Sequence, residues 1–197
     1  LLLMTLLMIA GTAAARTLTV EALVSPAWVE RASGAREPLV PGAVLNDGDR
    51  VLTGGGARAL LRLGEGSAVK LGENAQLRVD RMADGGVAAE RVVSGALDVL
   101  QGAFRFTTRL FGAHQARRDI NVRIATVTAG IRGTDVWGKS SPDRDVVCLI
   151  EGRIYVQHQE QAFTMQDPLS FFIAGRDGSR QPVAPVPEAQ LKEWAEE

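Results

Sequence analysis

Hydrophobic and polar residues alternate in short runs through most of the chain, the period of strands with one buried face. The clearest stretch is residues 57–79. Ala59, Leu61 and Leu63 alternate with Arg58, Leu60 and Arg62, Val69 and Leu71 flank Lys70, and Ala75, Leu77 and Val79 alternate with Gln76, Arg78 and Asp80. Gly64-Glu65-Gly66-Ser67 and Gly72-Glu73-Asn74 divide these runs as turns. Upstream, Leu18, Val20, Ala22 and Val24 form an alternating run that stops at Pro26, and Trp28-Val29 starts another. Pro41-Gly42 and Asn46-Asp47-Gly48-Asp49 are turn signals on either side of Val44-Leu45. Asp84-Gly85-Gly86 is a further turn, and Val92-Val93 and Ala96 to Leu100 continue the rhythm. Asp145 to Gly152 and Arg153 to Gln157 predict two strands around a Glu151-Gly152 turn, and Phe171-Phe172-Ile173 is the last apolar run. Turns recurring about every eight residues predict an all-β fold, with short strands in a β-sandwich or a β-roll or solenoid-like arrangement.

The two ends read differently. Leu1 to Ile9 is almost wholly apolar and Ala13-Ala14-Ala15 follows, the pattern of a signal-peptide core and its cleavage site, so residues 1–15 are expected to be a signal peptide. This run is shorter than the roughly 20 apolar residues of a bilayer span, so no stable membrane anchor is expected after cleavage. With neither Met nor a basic segment before the apolar run, the true start is expected upstream. Residues 16–181 then form the β-domain, periplasmic or secreted. Pro182, Pro185 and Pro187 mark residues 182–197 as a Pro-rich linker and a short C-terminal helix, with Pro187 at its first position and Leu191, Trp194 and Ala195 on one face.

Composition narrows the chemistry. Of 197 residues, 46% are hydrophobic, enough for a sizeable core, and a net charge of −1 argues against a nucleic-acid partner. Cys148 is the only cysteine, which excludes an intramolecular disulfide and a CxxC metal site, and its place between Val147 and Leu149 predicts a buried, inert thiol. The Asn46–Asp49 turn lacks the Glu twelve positions on that a calcium loop needs. His114 and His158 are the only histidines, there is no G-x-S-x-G elbow, and His158, in the polar run Gln157-His-Gln-Glu160, is expected to be exposed. Between residues 101 and 123, Phe104, Phe106 and Phe111 interleave with Arg105, Arg109, Arg117, Arg118 and Arg123. A solvated basic loop is the plain reading; those five arginines are otherwise the candidate partner-binding residues.

The stretch Ala125 to Trp137 carries two competing readings. Gly133 to Ser140 fits the P-loop spacing G-x-x-x-x-G-K-[ST], yet Ser141-Pro142-Asp143 follows where the phosphate-binding helix should begin, and Val136 and Trp137 suit a strand. No nucleotide is therefore expected. Arg132-Gly133-Thr134 reads instead as a tight corner between buried strands, bent at Gly133 and tied locally by Thr134, with Arg132 bridging to a carboxylate or to backbone carbonyls.

The ordered series of motifs resembles the FecR family, a periplasmic domain, from about Val44 to Val156. Gly48-Asp49-Arg50-Val51-Leu52-Thr53-Gly54 is similar to its G-D-x-[IVL]-x-T-G segment, and Ala59 to Gly72 to its strand-G-S-strand segment, with Glu65 in the usual Asp place. Asn74 and Leu77 fit the segment that follows, where Ala75 replaces the usual Ser or Thr, and Gly95-Ala96-Leu97 resembles the next strand. Thr126 to Trp137 is similar to the T-P-x-A…R-G-T core, with Val127 in the Pro place, and Glu151-Gly152-Arg153-Ile154-Tyr155-Val156 to the closing E-G-x-V-x-V. The resemblance makes Arg132, Gly133, Thr134, Gly48, Asp49, Glu151 and Gly152 structural motif residues. Signal-transducing members carry a sigma-factor-regulating segment and a membrane span before this domain. Here the domain is expected to follow a signal peptide directly, so the resemblance implies an envelope β-domain without carrying over sigma-factor regulation. The expected function is a non-enzymatic binding or scaffolding module for an envelope protein or a cell-wall glycan, with no cofactor and no metal. The alternative is an accessory component of envelope signal transduction that senses a partner through an exposed sheet edge. A carboxylate-dependent enzyme acting on glycans is a lesser alternative.

Overall fold

The computed structural model describes residues 18–85, 92–108 and 117–196. In chain order the strands are β1 (Leu18–Val24), β2 (Ala27–Glu30), β3 (Arg36–Pro38), β4 (Val44–Leu45), β5 (Arg50–Thr53), β6 (Arg58–Leu63), β7 (Ala68–Leu71), β8 (Gln76–Gly85) and β9 (Val92–Thr107). They continue as β10 (Arg117–Ile124), β11 (Val127–Ile131), β12 (Asp135–Ser140), β13 (Arg144–Glu151), β14 (Ile154–His158), β15 (Gln161–Met165), β16 (Ser170–Gly175) and β17 (Arg180–Pro185), and helix α1 (Glu188–Glu196) follows. The all-β expectation and the short terminal helix both hold.

The strands form two layers. The first sheet runs β4-β1-β6-β7-β9-β12-β13-β16-β17. The second runs β3-β2-β5-β8-β9-β10-β11-β14-β15. Strand β9 belongs to both. Its first part pairs with β8 and β10 in the second sheet, and from Gly102 to Thr107 it pairs with β12 in the first. Hydrogen bonding is therefore continuous through β9, while each layer keeps two open edges. The β9–β10 pair is parallel and every other pairing among the described residues is antiparallel.

The period-two pattern decides which side chains face inward. Leu18, Val20, Leu61, Leu63, Val69, Phe104, Phe106, Val136, Val147 and Leu149 from the first sheet meet Val29, Val51, Leu77, Val79, Leu97, Val99, Ile120, Val122, Ala129 and Val156 from the second in one buried core. A second apolar cluster lies on the outer face of the first sheet. There Ala103, Trp137, Val146 and Cys148 are covered by Phe171, Ile173, Val186 and Trp194 of α1.

Three sequence expectations change. Residues 182–185, read as linker, are part of β17. Its prolines cost no ladder bond because an edge strand needs donors on one side only. The 101–123 segment is strand on both flanks, residues 101–107 in β9 and 117–124 in β10. His158 is 2% exposed. It ends β14 in the same inward parity as Ile154 and Val156, and its Nδ1 lies 3.1 Å from the Thr126 carbonyl, so that nitrogen is the donor. A polar neighbourhood in sequence did not outweigh the strand period.

Candidate functional site

The motif residues gather where the chain crosses between layers. β11 leads into β12 through residues 132–134, and β13 leads into β14 through residues 152–153, so two adjacent strands change sheet side by side. Gly133 and Gly152 adopt φ values of +91° and +92°, in the left-handed region that favours glycine. The corners touch: a Cβ on Gly152 would stand 2.8 Å from the Gly133 carbonyl oxygen and 2.8 Å from Thr134 Cγ2. Thr134 is tied at long range instead of locally, its N–H donating to Thr108 Oγ1 at 3.1 Å and its carbonyl accepting from Thr108 N at 3.0 Å. Arg132 is 79% exposed and stands 4.0 Å from Asp119. Glu151, at the end of β13, is exposed.

The G-D-x-x-x-T-G segment plays the same part in the first half of the chain. Gly48 and Asp47 form the turn before β5. Buried Asp49 accepts from the N–H groups of Asn46 at 3.0 Å and Ala32 at 3.1 Å and from Arg31 Nη1 at 2.9 Å. Burial pushes the Asp49 carboxyl up, but these donors outweigh it and hold it below the usual carboxylate range. Thr53 Oγ1 donates to the Gly72 carbonyl at 2.7 Å and accepts from Ala75 N at 2.8 Å, locking the β5–β6 and β7–β8 corners together.

The arginines grouped by sequence are separated by the fold. Arg109 lies outside the described residues, and Arg117 and Arg118 are placed only as backbone of β10. Arg123, on the outer face of the second sheet, reaches Asp98 at 2.8 and 2.7 Å, and Arg78 binds the same carboxylate from β8. Burial raises the Asp98 carboxyl, and the hydrogen bonds from Arg123 and Arg78 overcome it, leaving the group below its ordinary range. These residues lie in a cross-strand row that reads Arg36, Glu30, Arg50, Arg78, Asp98 and Arg123.

Arg105 belongs to the other layer, facing out from the first sheet and gripping Asp135 through two bonds of 2.8 and 2.6 Å. Its row reads Leu60, Lys70, Arg105, Trp137, Cys148, Phe171 and Ala184 across seven strands. One half of this row is cationic and the other apolar. Helix α1 lies over the apolar half, with the Trp194 ring stacked on Trp137 at 4.4 Å and 16° and Phe171 edge-on to Trp194 at 5.9 Å. Where helix and cations meet, the sheet carries a cavity of about 400 Å³. Trp137, Trp194, Cys148, Ile150 and Leu191 supply its apolar surface, and Arg58, Lys70 and Arg105 its charged side. Cys148 is buried as expected, and desolvation pushes its thiol up to about 12. It is a wall, not a nucleophile.

The four sheet edges differ in protection. β4 has two residues, β3 carries Arg36, Glu37 and Pro38, and β17 carries Pro182 and Pro185. β15, with the sequence Gln-Ala-Phe-Thr-Met, has no proline, no charge and no register shift. A two-residue loop joins it to β14, with His158 opposite Gln161. In such a hairpin the flanking residues exchange both backbone bonds, which turns the N–H and C=O groups of Ala162 and Thr164 toward the open edge.

The P-loop-like residues are strand: Asp135 to Ser140 is β12, and the chain turns straight into β13. Among the described residues no group of three or more His, Cys, Asp or Glu is placed to hold a metal ion.

The family model described as FecR protein matches residues 49–155, more than half of the chain. The chain belongs to the FecR family. Two crystal structures of candidate anti-sigma factors from Parabacteroides distasonis share the fold. One aligns with a TM-score of 0.57 at 13% identity over 74% of this chain and 63% of that one. The other gives 0.54 at 15% identity over 74% and 64%. The chain thus spans a little under two thirds of the length of these structures. No curated protein matches it.

The FecR match begins at Asp49 and closes at Tyr155, so it covers the corners but stops short of β15, β16, β17 and α1. Sequence reasoning found the corner residues through their Gly, Asp and Thr signals. It missed the cavity, because Lys70, Trp137 and Trp194 come together only through strand register and helix docking. The shared outward parity of Lys70 and Trp137 was the one legible sign.

Proposed function

We propose that this chain is a non-enzymatic component of cell-envelope signal transduction, acting outside the cytoplasm by receiving a partner protein at the open edge of β15. FecR membership supports the signalling class, and the unprotected β15 edge is the observation that carries the mode of contact. An extended segment of the partner would add a strand beside β15, bonding to the main chain of Ala162 and Thr164 and covering the flank of Phe163. The fold relationship to candidate anti-sigma factors agrees with this reading. Among the described residues no helix is long and apolar enough to cross a membrane.

Thr164→Pro provides the test. It removes an outward N–H without removing a ladder bond, so the fold should be retained while strand addition is blocked. In the native host, deleting the gene should change a discrete set of transcripts. Wild-type protein should restore them and Thr164→Pro, made at equal level with an unchanged melting temperature, should not. An unchanged transcript profile on deletion would sink the signalling reading. Full restoration by Thr164→Pro would sink the edge. The binding or scaffolding reading, for an envelope protein or a cell-wall glycan, predicts no transcript response on deletion.

A further inference from the structure

We infer that the outer face of the first sheet binds a single-chain amphiphile with an anionic head, its chain under α1 and its head at Lys70, Arg105 and Arg58. This site is separate from the β15 edge and does not depend on the signalling reading.

Three observations converge on it. The first is a violation of sheet chemistry. Lys70 and Arg105 stand directly opposite each other on β7 and β9, an arrangement of like charges that destabilises a sheet. Asp135 neutralises Arg105 from the far side, and Lys70 meets no carboxylate among the described residues. Local rules of this kind are broken chiefly at functional or strained sites. The second is the composition of the wall. No Asp or Glu is among the lining residues, and Lys70, whose charge no carboxylate among the described residues meets, offers an anion its partner at the rim beside Arg58 and the Asp135-paired Arg105. The third is the shape. A volume of about 400 Å³ sits at the small end of small-molecule sites. That suits one chain better than a two-chain lipid, and the indoles of Trp137 and Trp194 with Ile150 and Leu191 give that chain an apolar bed. The cation-to-apolar order of the Lys70–Arg105–Trp137–Cys148 row fixes the direction: head toward β7, chain toward β13.

A Trp28→Phe background leaves Trp137 and Trp194 as the only tryptophans, so emission reports this cavity alone. The full chain would be titrated, below the micellar range, with dodecanoate, with dodecanol as chain without charge, with butyrate as charge without chain, and with dodecyltrimethylammonium. Dodecanoate should give a saturable emission change, and dodecanol should bind about ten-fold more weakly. Butyrate and the cationic chain should give no saturable change. Lys70→Gln should weaken dodecanoate several-fold without moving dodecanol, and raised salt should do the same. Leu191→Trp, on the half-buried helix face, should fill the cavity and abolish dodecanoate binding with the melting temperature retained. The inference is overturned if dodecanoate gives no saturable change, if all three long-chain probes bind alike, if Lys70→Gln leaves dodecanoate affinity unchanged, or if a folded Leu191→Trp protein still binds it.

Discussion

Gly152→Ala and Gly133→Ala form a matched pair whose difference measures how closely the two corners pack. Both glycines have φ near +90°, so a Cβ at either costs roughly 1–2 kcal/mol of backbone strain. At Gly133 nothing lies within 4 Å of that Cβ, and the cost should end there. At Gly152 the Cβ meets the Gly133 carbonyl oxygen and Thr134 Cγ2 at 2.8 Å and Thr134 Cα at 3.1 Å. Two of these atoms are backbone, held by the Thr108–Thr134 bonds, and overpacking against a rigid neighbour adds about 1–3 kcal/mol. The expected losses are therefore about 1–2 kcal/mol for Gly133→Ala and about 2–5 kcal/mol for Gly152→Ala. For a domain of this size that corresponds to about 2–4 °C in Tm per kcal/mol. Urea unfolding followed by tryptophan emission gives the values directly, with unchanged m-values confirming that only the native state has moved. Asn adopts left-handed conformations more readily than Ala, so Gly133→Asn should recover much of the first loss while Gly152→Asn recovers none of the second. Equal losses at the two positions, or a loss below about 0.5 kcal/mol at Gly152, would refute the packed-corner account.

Asp98→Asn leaves Arg78 and Arg123 without their shared carboxylate and should cost about 1.5–3 kcal/mol near neutral pH, before discounting for two half-exposed guanidinium groups. Because the folded carboxyls of Asp98 and Asp49 sit below their unfolded value near 3.9, their stabilisation is complete above about pH 4 and is lost as pH falls through the lowered values. Asp98→Asn should accordingly flatten the acid limb of a stability–pH curve. Cys148, 1% exposed with its thiol raised to about 12, should resist a thiol reagent in the native protein and react fully in urea, so prompt native labelling would contradict its place under α1. Truncation before Pro187 should leave cooperative unfolding intact, cost about 1–3 kcal/mol as Trp137 loses its stacked partner, and shift Trp emission to the red. Loss of cooperative unfolding would show that the helix belongs to the main core.

What could be read from the sequence depended on the range of the interaction. Parity along a strand is local, and Ala59, Leu61 and Leu63 or Leu77 and Val79 declared their inward faces without help. Corner residues were legible for a related reason, since a left-handed glycine or a capping Asp answers a demand made within a few residues. Pairing across strands is not local. Nothing near Arg105 in sequence names Asp135, thirty residues away, and nothing near Lys70 indicates that Arg105 will be its neighbour. The arginine-rich segment therefore looked like one basic feature, while the sheet switch in β9 sends Arg105 to one outer face and leaves Arg123 on the other. His158 failed in the opposite sense: composition suggested solvent, and strand parity, followed one residue further, would have put it inside.

The extent of the family match sharpens where specificity should be sought. The matched residues supply the Asp49, Thr53, Thr134 and Gly152 ties at the points where strands change layer. Both candidate recognition surfaces draw on residues beyond Tyr155. β15 is the open edge of the second sheet, and α1 with Leu169 closes the cavity whose cationic side comes from the matched strands β6, β7 and β9. The chain after Tyr155 thus adds the β15 edge to one layer and β16, β17 and the α1 lid to the other, with Met165, Phe172 and Ala174 completing the core. A corner frame with recognition placed at its margins requires that exchanging residues 159–197 between family members, with Met165, Phe172 and Ala174 kept because they enter the core, move partner or ligand preference and leave the corners intact. A chimera that folds yet keeps this chain's dodecanoate preference without its own α1 would contradict that division.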